Sequence, residues 1–191
     1  MNKKSNFRTL TFGAMMCALV FLGTYFRLPI PMSHNGYVHL GDGFAFIGCF
    51  FLPLQIAVPA AAIGAGVSDL LGGAAIWLPA TLIIKSLMCL AFVRHKSSLD
   101  RKSSCALSEH ISQNRYQNNK KLNIWTALPR VLLGSSINFA GYFFAAGIMF
   151  NDFYAFVPSI PAELVQSVGG GVVFILLVKP MSKISSFFIE F

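Results

Sequence analysis

Four stretches of this chain, residues 9–26, 76–93, 126–149 and 161–178, are nearly unbroken apolar runs. Each has roughly the 20 residues that a helix needs to cross the hydrocarbon core of a bilayer. Nothing else in the sequence restricts the fold as strongly. Composition points the same way: 55% of residues are hydrophobic, only 12% are charged, and Phe alone occurs 19 times. A chain with so little polar surface cannot coat a water-soluble globule, so lipid is the solvent for much of it. An all-α integral membrane protein is expected.

The stretch 43–72, GFAFIGCFFLPLQIAVPAAAIGAGVSDLLG, is long for one crossing and short for two, with Pro53 and Gln55 breaking it in the middle. Charge decides the count. Lys3, Lys4 and Arg8 precede the first run, Lys179 and Lys183 follow the last, and Arg94, Lys96, Arg101, Lys102, Arg115, Lys120 and Lys121 share one segment. Basic loops stay in the cytoplasm, so an even number of crossings must separate these regions. Two helices within 43–72 satisfy that condition, whereas one helix strands seven basic residues outside. The expected architecture is a single membrane domain over residues 1–191, a six-transmembrane-helix bundle with both termini inside. Its helices run at about 9–26, 38–53, 55–72, 76–93, 126–149 and 161–178. The loops then facing outside, 27–41, about 71–75 and 150–160, carry one basic residue, Arg27. Residues 95–124 form a polar cytoplasmic loop, either a mobile linker or an amphipathic helix docking on lipid or a partner. No internal repeat is evident.

The same charge pattern removes other classes. A net charge of +8 suggests nucleic acid only when it lies on one soluble face, and here it marks topology, so no nucleic-acid partner is expected. The N-terminal basic and apolar stretch is too long for a signal peptide and lacks a small-x-small cleavage site, which predicts a retained first helix. Cys17, Cys49, Cys89 and Cys105 are scattered without a CxxC pair, indicating neither a disulfide framework nor a zinc site. There is no GxxxxGK[ST] loop and no GxSxG, so the chain does not itself couple ATP hydrolysis to anything. No cofactor is indicated.

Several polar residues stand out within the apolar runs. Lys85 lies near mid-bilayer in LPATLIIKSLMCLAF, where an unpaired ammonium costs on the order of 3 kcal/mol or more. Asp42 and Asp69 are its candidate partners. Such a pair either fixes helix register or presents a cation to a ligand. Asn138 and Tyr142, four apart, share one face of the fifth helix, and Glu163, Gln166 and Ser167 share a face at the outer end of the sixth. Each is open to interhelical hydrogen bonding. Together they also suit a small polar aromatic ligand in an apolar pocket. Ala14-x-x-x-Ala18 makes a shallow face, either for packing within the bundle or for a second subunit. Gly169-Gly170-Gly171 and the small-residue run VPAAAIGAG predict close helix contacts.

In PMSHNGYVHLGDGFAF, residues 31–46, Asp42 is placed to cap the second helix. His34, His39 and Asp42 have no HExxH-like spacing that would support a metal site, and none is expected.

These residues resemble a known family. The segments GYVHLGDGFAFIGCFFLP, AAAIGAGVSDLLGG, LPATLIIKSLM and IPAELVQSVGGGVV are similar to the membrane S components of energy-coupling factor (ECF) vitamin transporters, over roughly residues 9–93 and 126–178. The resemblance implies a six-helix substrate-capture subunit without enzymatic activity, binding a vitamin or precursor from outside. Transport then requires a transmembrane T component and two ATPase subunits. It implies that Ala14 and Ala18 dock the T component. It also implies a pocket between helices 4, 5 and 6, lined by Lys85, Asn138, Tyr142, Glu163 and Gln166, with the helix 1–2 loop as a lid. From that lid His34, Tyr37, His39 and Asp42 are candidate ligand contacts. The 95–124 loop is longer than the family's, and Glu163 stands where many relatives have Asn in Pro-Ala-Asn-x-x-Gln, which bears on substrate choice. The ligand class is pyridoxine-like, thiamine-precursor pyrimidine or thiazole, or riboflavin-like. The competing class is a self-sufficient secondary transporter or channel in the cell membrane. A membrane enzyme would need more clustered nucleophiles and bases than the sequence supplies.

Overall fold

The computed structural model describes residues 3–29, 37–103 and 124–189. Among these are six α-helices: α1 (Lys3–Tyr25), α2 (Gly41–Phe51), α3 (Leu54–Leu71), α4 (Leu78–Ser103), α5 (Ile124–Phe150) and α6 (Ile160–Ile189). Short 3-10 turns at Ala75–Trp77 and Phe153–Ser159 lead into α4 and α6. Between α1 and α2, β1 (Leu28–Pro29) pairs antiparallel with β2 (Tyr37–Val38), Leu28 facing Val38 and Pro29 facing Tyr37.

Five of the helical stretches are long and apolar enough to cross a membrane: Phe7–Tyr25, Leu54–Leu71, Ala75–Val93, Ala127–Phe150 and Phe156–Ile184. The sixth, α2, is apolar but has only 11 residues, about 16 Å of helix against a hydrocarbon core of about 30 Å. The expected span 38–53 is therefore too long at both ends. At its start, the Leu40 amide bonds the Gly23 carbonyl of α1 at 3.0 Å. At its end, Leu52 is extended, the conformation that a following proline favours, and the Pro53 carbonyl already accepts from the Ile56 and Ala57 amides of α3.

A helix this short stays apolar because it is enclosed. Nine of its eleven residues are buried, and it touches α1, α3, α4 and α6. Around it α1 packs on α3, α3 on α4 and α4 on α5, while α6 leans on α2. The seam between α5 and α6 is thinner than either helix's main contact. The core below α2's first turn is aromatic. Phe46 stacks on Phe92 with centroids 5.6 Å apart, and Phe174 meets the edges of Phe92 and Phe50 at 6.2 and 5.9 Å. Phe12, Met16 and Val20 of α1 complete it.

On the other side of the membrane stretch, α4 continues past its apolar run to Ser103. Residues 95–103, expected to belong to the polar loop, thus extend a helix, and 104–123 lie outside the described residues.

Candidate functional site

The site is built around the first turn of α2, and glycines put it there. A Cβ on Gly41 would meet the Thr24 side chain, with its Cβ at 3.1 Å, so α1 and α2 cross almost backbone to backbone. A Cβ on Gly43 would lie 2.6 Å from Val173 and 2.9 Å from the Gly170 carbonyl oxygen. Small residues at such crossings let helix axes come close in an apolar medium. The residue between them, Asp42, is consequently driven into the middle of the bundle at 4% exposure.

There Asp42 does not cap its helix. The capping residue is Leu40, with no side-chain bond, because the carboxylate is taken up elsewhere. Its Oδ1 receives the Lys85 ammonium at 2.5 Å, and its Oδ2 accepts from Gln166 Nε2 at 3.0 Å and Asn138 Nδ2 at 3.4 Å. Lys85 also donates to Asn138 Oδ1 at 2.8 Å, and Gln166 Oε1 accepts from the His39 amide at 3.4 Å. Four helices thus contribute one side chain each, all nearly inaccessible to solvent. A buried ion pair offsets its desolvation only when the remaining polar atoms are also satisfied, and Asn138 and Gln166 meet that need.

Of the two partners considered for Lys85, the structure selects Asp42. Asp69 is bound to other groups: Arg27 Nη2 lies 3.0 Å from its Oδ1, and Thr81 Oγ1 donates to its Oδ2 at 2.5 Å. Thr81 Oγ1 is in turn 3.1 Å from the Tyr142 hydroxyl. The Tyr142 ring lies 5.5 Å from Lys85 Nζ and makes an edge contact with Trp77 at 5.9 Å. Phe139, Phe143, Phe153 and Phe156 form an aromatic cluster along α5 and the turn before α6. Glu163, in the first turn of α6, has a buried Oε2 without a hydrogen-bond partner.

His39, between β2 and α2, is 6% exposed. Burial pushes its imidazole down to about 4, opposed by Asp42 and aided by the positive charges of Lys85 and Arg27. Tyr37 lies in β2 opposite Pro29 of β1, and His34 lies outside the described residues. No group of three or more His, Cys, Asp or Glu able to hold a metal occurs among the described residues.

Lys85 is thus buried against Asp42 and Asn138, with Gln166 completing the ring around the carboxylate and Tyr142 alongside. The family model described as the S component of an ECF-type riboflavin transporter matches residues 4–183. The chain belongs to this family. It is thus the substrate-binding membrane subunit of an ECF transporter, in a class that has a vitamin substrate with T-component and ATPase partners, and that is not a family of enzymes. No curated protein and no solved structure matches the chain.

The structure brings together most of the site residues anticipated for this S component: Lys85, Asp42, Asn138 and Gln166 in direct contact, Tyr142 against Lys85, and His39 through its backbone. Glu163 stays beside the network without bonding into it. Ala14 and Ala18 are exposed on α1, on the side with Phe7, Leu10 and Leu22. Thr81, Asp69 and Arg27 were not anticipated as a group. Thr81-x-x-x-Lys85 places both on one helix face, a signal that was available, but a threonine in an apolar helix most often bonds its own backbone.

Proposed function

We propose that this S component captures riboflavin, or a closely similar ring-containing vitamin, from the outer side of the cytoplasmic membrane for ATP-driven import by its partner subunits. The observation that carries this reading is the set Lys85, Asp42, Asn138 and Gln166, a hydrogen-bonded polar cluster next to aromatic side chains from α5 and from the turns before α4 and α6. A planar heteroaromatic ring needs that combination, apolar walls for its faces and a few fixed hydrogen bonders for its edge. The family match favours riboflavin over the pyridoxine-like and pyrimidine or thiazole compounds.

Within this reading the chain crosses the membrane six times with both termini inside, which the placement of its basic residues supports. The 27–41 loop closes over ligand held between α4, α5 and α6, with Lys85, Asp42, Asn138, Tyr142, Glu163 and Gln166 as contacts and His34, Tyr37 and His39 brought by the loop. The buried Oε2 of Glu163 is the acceptor that a ring N–H of the ligand fills. Ala14 and Ala18 form the flat face that meets the T component, and the loaded bundle is then tipped in the membrane by the two ATPase subunits.

The test is titration of the detergent-purified protein with riboflavin, whose emission is quenched on stacking against aromatic side chains. Saturable one-to-one quenching is expected, together with co-purified flavin in the mass spectrum. Binding of a pyridoxine or thiamine precursor in its place would move the ligand assignment, and failure to bind any of these compounds would sink the proposal.

A further inference from the structure

Beyond the ring of contacts around Lys85 runs a second polar chain, Arg27, Asp69 and Thr81, that the proposed function does not use and that ends on its contact residue Tyr142. Arg27, just before β1, reaches Asp69 in the last turn of α3 at 3.0 Å. Asp69 holds Thr81 of α4 at 2.5 Å, and Thr81 meets Tyr142 of α5 at 3.1 Å. The tight turn after α3, closed by the Ala74 amide on the Asp69 carbonyl at 2.8 Å, brings Asp69 against Thr81. From Tyr142 the chain passes to Lys85, then through Asp42 and Gln166 to the backbone of His39, just after β2. The residues flanking the two strands of the β1–β2 ladder are therefore tied to opposite ends of one circuit that runs through the candidate site.

Proton counting gives this chain a direction. A carboxylate only accepts, so the single Thr81 proton goes to Asp69, and the Thr81 oxygen is left to accept from Tyr142. The Tyr142 hydroxyl is then the donor in that bond. Its proton is committed inside the bundle, its ring is held beneath the Lys85 ammonium, and its oxygen offers the site only lone pairs. Arg27 balances the Asp69 charge that sets this polarity. We propose that Asp69 and Thr81 are positioning residues for ligand binding: they fix the orientation of Tyr142 and make it an acceptor that selects a ligand donor, an N–H or O–H, at that point. This rests on the reading of the protein as a riboflavin-binding subunit.

The experiment uses the full chain in detergent, with Trp125→Phe so that Trp77 alone reports on the Tyr142 ring it touches. Thr81→Val keeps the side-chain shape and the Arg27–Asp69 ion pair but removes the relay hydroxyl. Riboflavin affinity is expected to fall on the order of tenfold, the ligand-free Trp77 emission to shift, and the thermal midpoint to stay close to that of the parent. Tyr142→Phe is expected to lose a similar amount, and the double variant no more than the larger single loss, because both remove the same chain. Thr81→Val affinity within twofold of the parent, or losses that multiply in the double variant, overturns the proposal. If the parent itself takes no riboflavin, the proposed function fails while Trp77 still decides this inference: a shift in Thr81→Val supports it and an unchanged emission overturns it.

Discussion

Gly43 and Gly170 bring α2 and α6 together so closely that a Cβ on Gly43 would sit 2.9 Å from the Gly170 carbonyl oxygen. One residue before Gly43 is Asp42, and one turn before Gly170 is Gln166, which bond each other at 3.0 Å. Helix contact and polar contact are the same event. Gly43→Ala is expected to push α6 outward, cost about 1–3 kcal/mol of stability through overpacking, and weaken riboflavin binding with it. Thermal unfolding and a binding titration on the same sample check both.

The Lys85–Asp42 pair separates architecture from ligand contact. Lys85→Met or Asp42→Leu alone leaves a buried charge without its counter-ion, and each is expected to destabilise by about 3–5 kcal/mol. The double replacement removes both charges and is expected to recover much of that loss without recovering riboflavin binding. If the double variant binds like wild type, the pair serves helix register alone.

His39 makes the lower pH range informative. Its imidazole titrates near 4 in the folded protein against an ordinary 6.5, so between these values the unfolded chain binds the extra proton. Stability is then fully present above about pH 6.5 and drains away as pH falls toward 4, by on the order of 2–3 kcal/mol. The surrounding charges, Asp42, Lys85 and Arg27, modulate this without reversing it. Unfolding midpoints measured from pH 4 to 7.5 are expected to fall more steeply on acidification in wild type than in His39→Gln. Parallel curves would show that His39 does not contribute.

On α1, Ala14 and Ala18 are exposed. Replacing both by Trp is expected to leave riboflavin affinity within about twofold, as for surface changes in general, while abolishing uptake by cells that express the T component and ATPases. Normal uptake by that variant would remove the face from consideration.

Much of this was readable in the sequence, for physical reasons that differ from residue to residue. The apolar runs gave helix positions because bilayer thickness sets a length that no other environment demands. Lys85 announced a partner because an ammonium in an apolar run cannot remain alone. Which carboxylate it takes was not readable, since Asp42 and Asp69 sit equally near helix ends. Packing decides it: glycine crossings drive Asp42 inward, and the turn after α3 hands Asp69 to Arg27 and Thr81. The 11-residue length of α2 was hidden as well, because an apolar run looks the same whether it faces lipid or four neighbouring helices. The extension of α4 to Ser103 was missed because its last residues are polar, and hydropathy follows surroundings more than backbone conformation.

The pairing of Lys85 with Asp42 and of Arg27 with Asp69 also bears on transport energetics. Moving one elementary charge through the membrane potential involves about 2.3 kcal/mol per 100 mV. Each couple sums to zero charge and moves as a unit. Whatever movement this part of the subunit makes across the membrane, these two couples therefore offer the transmembrane voltage no net charge to act on.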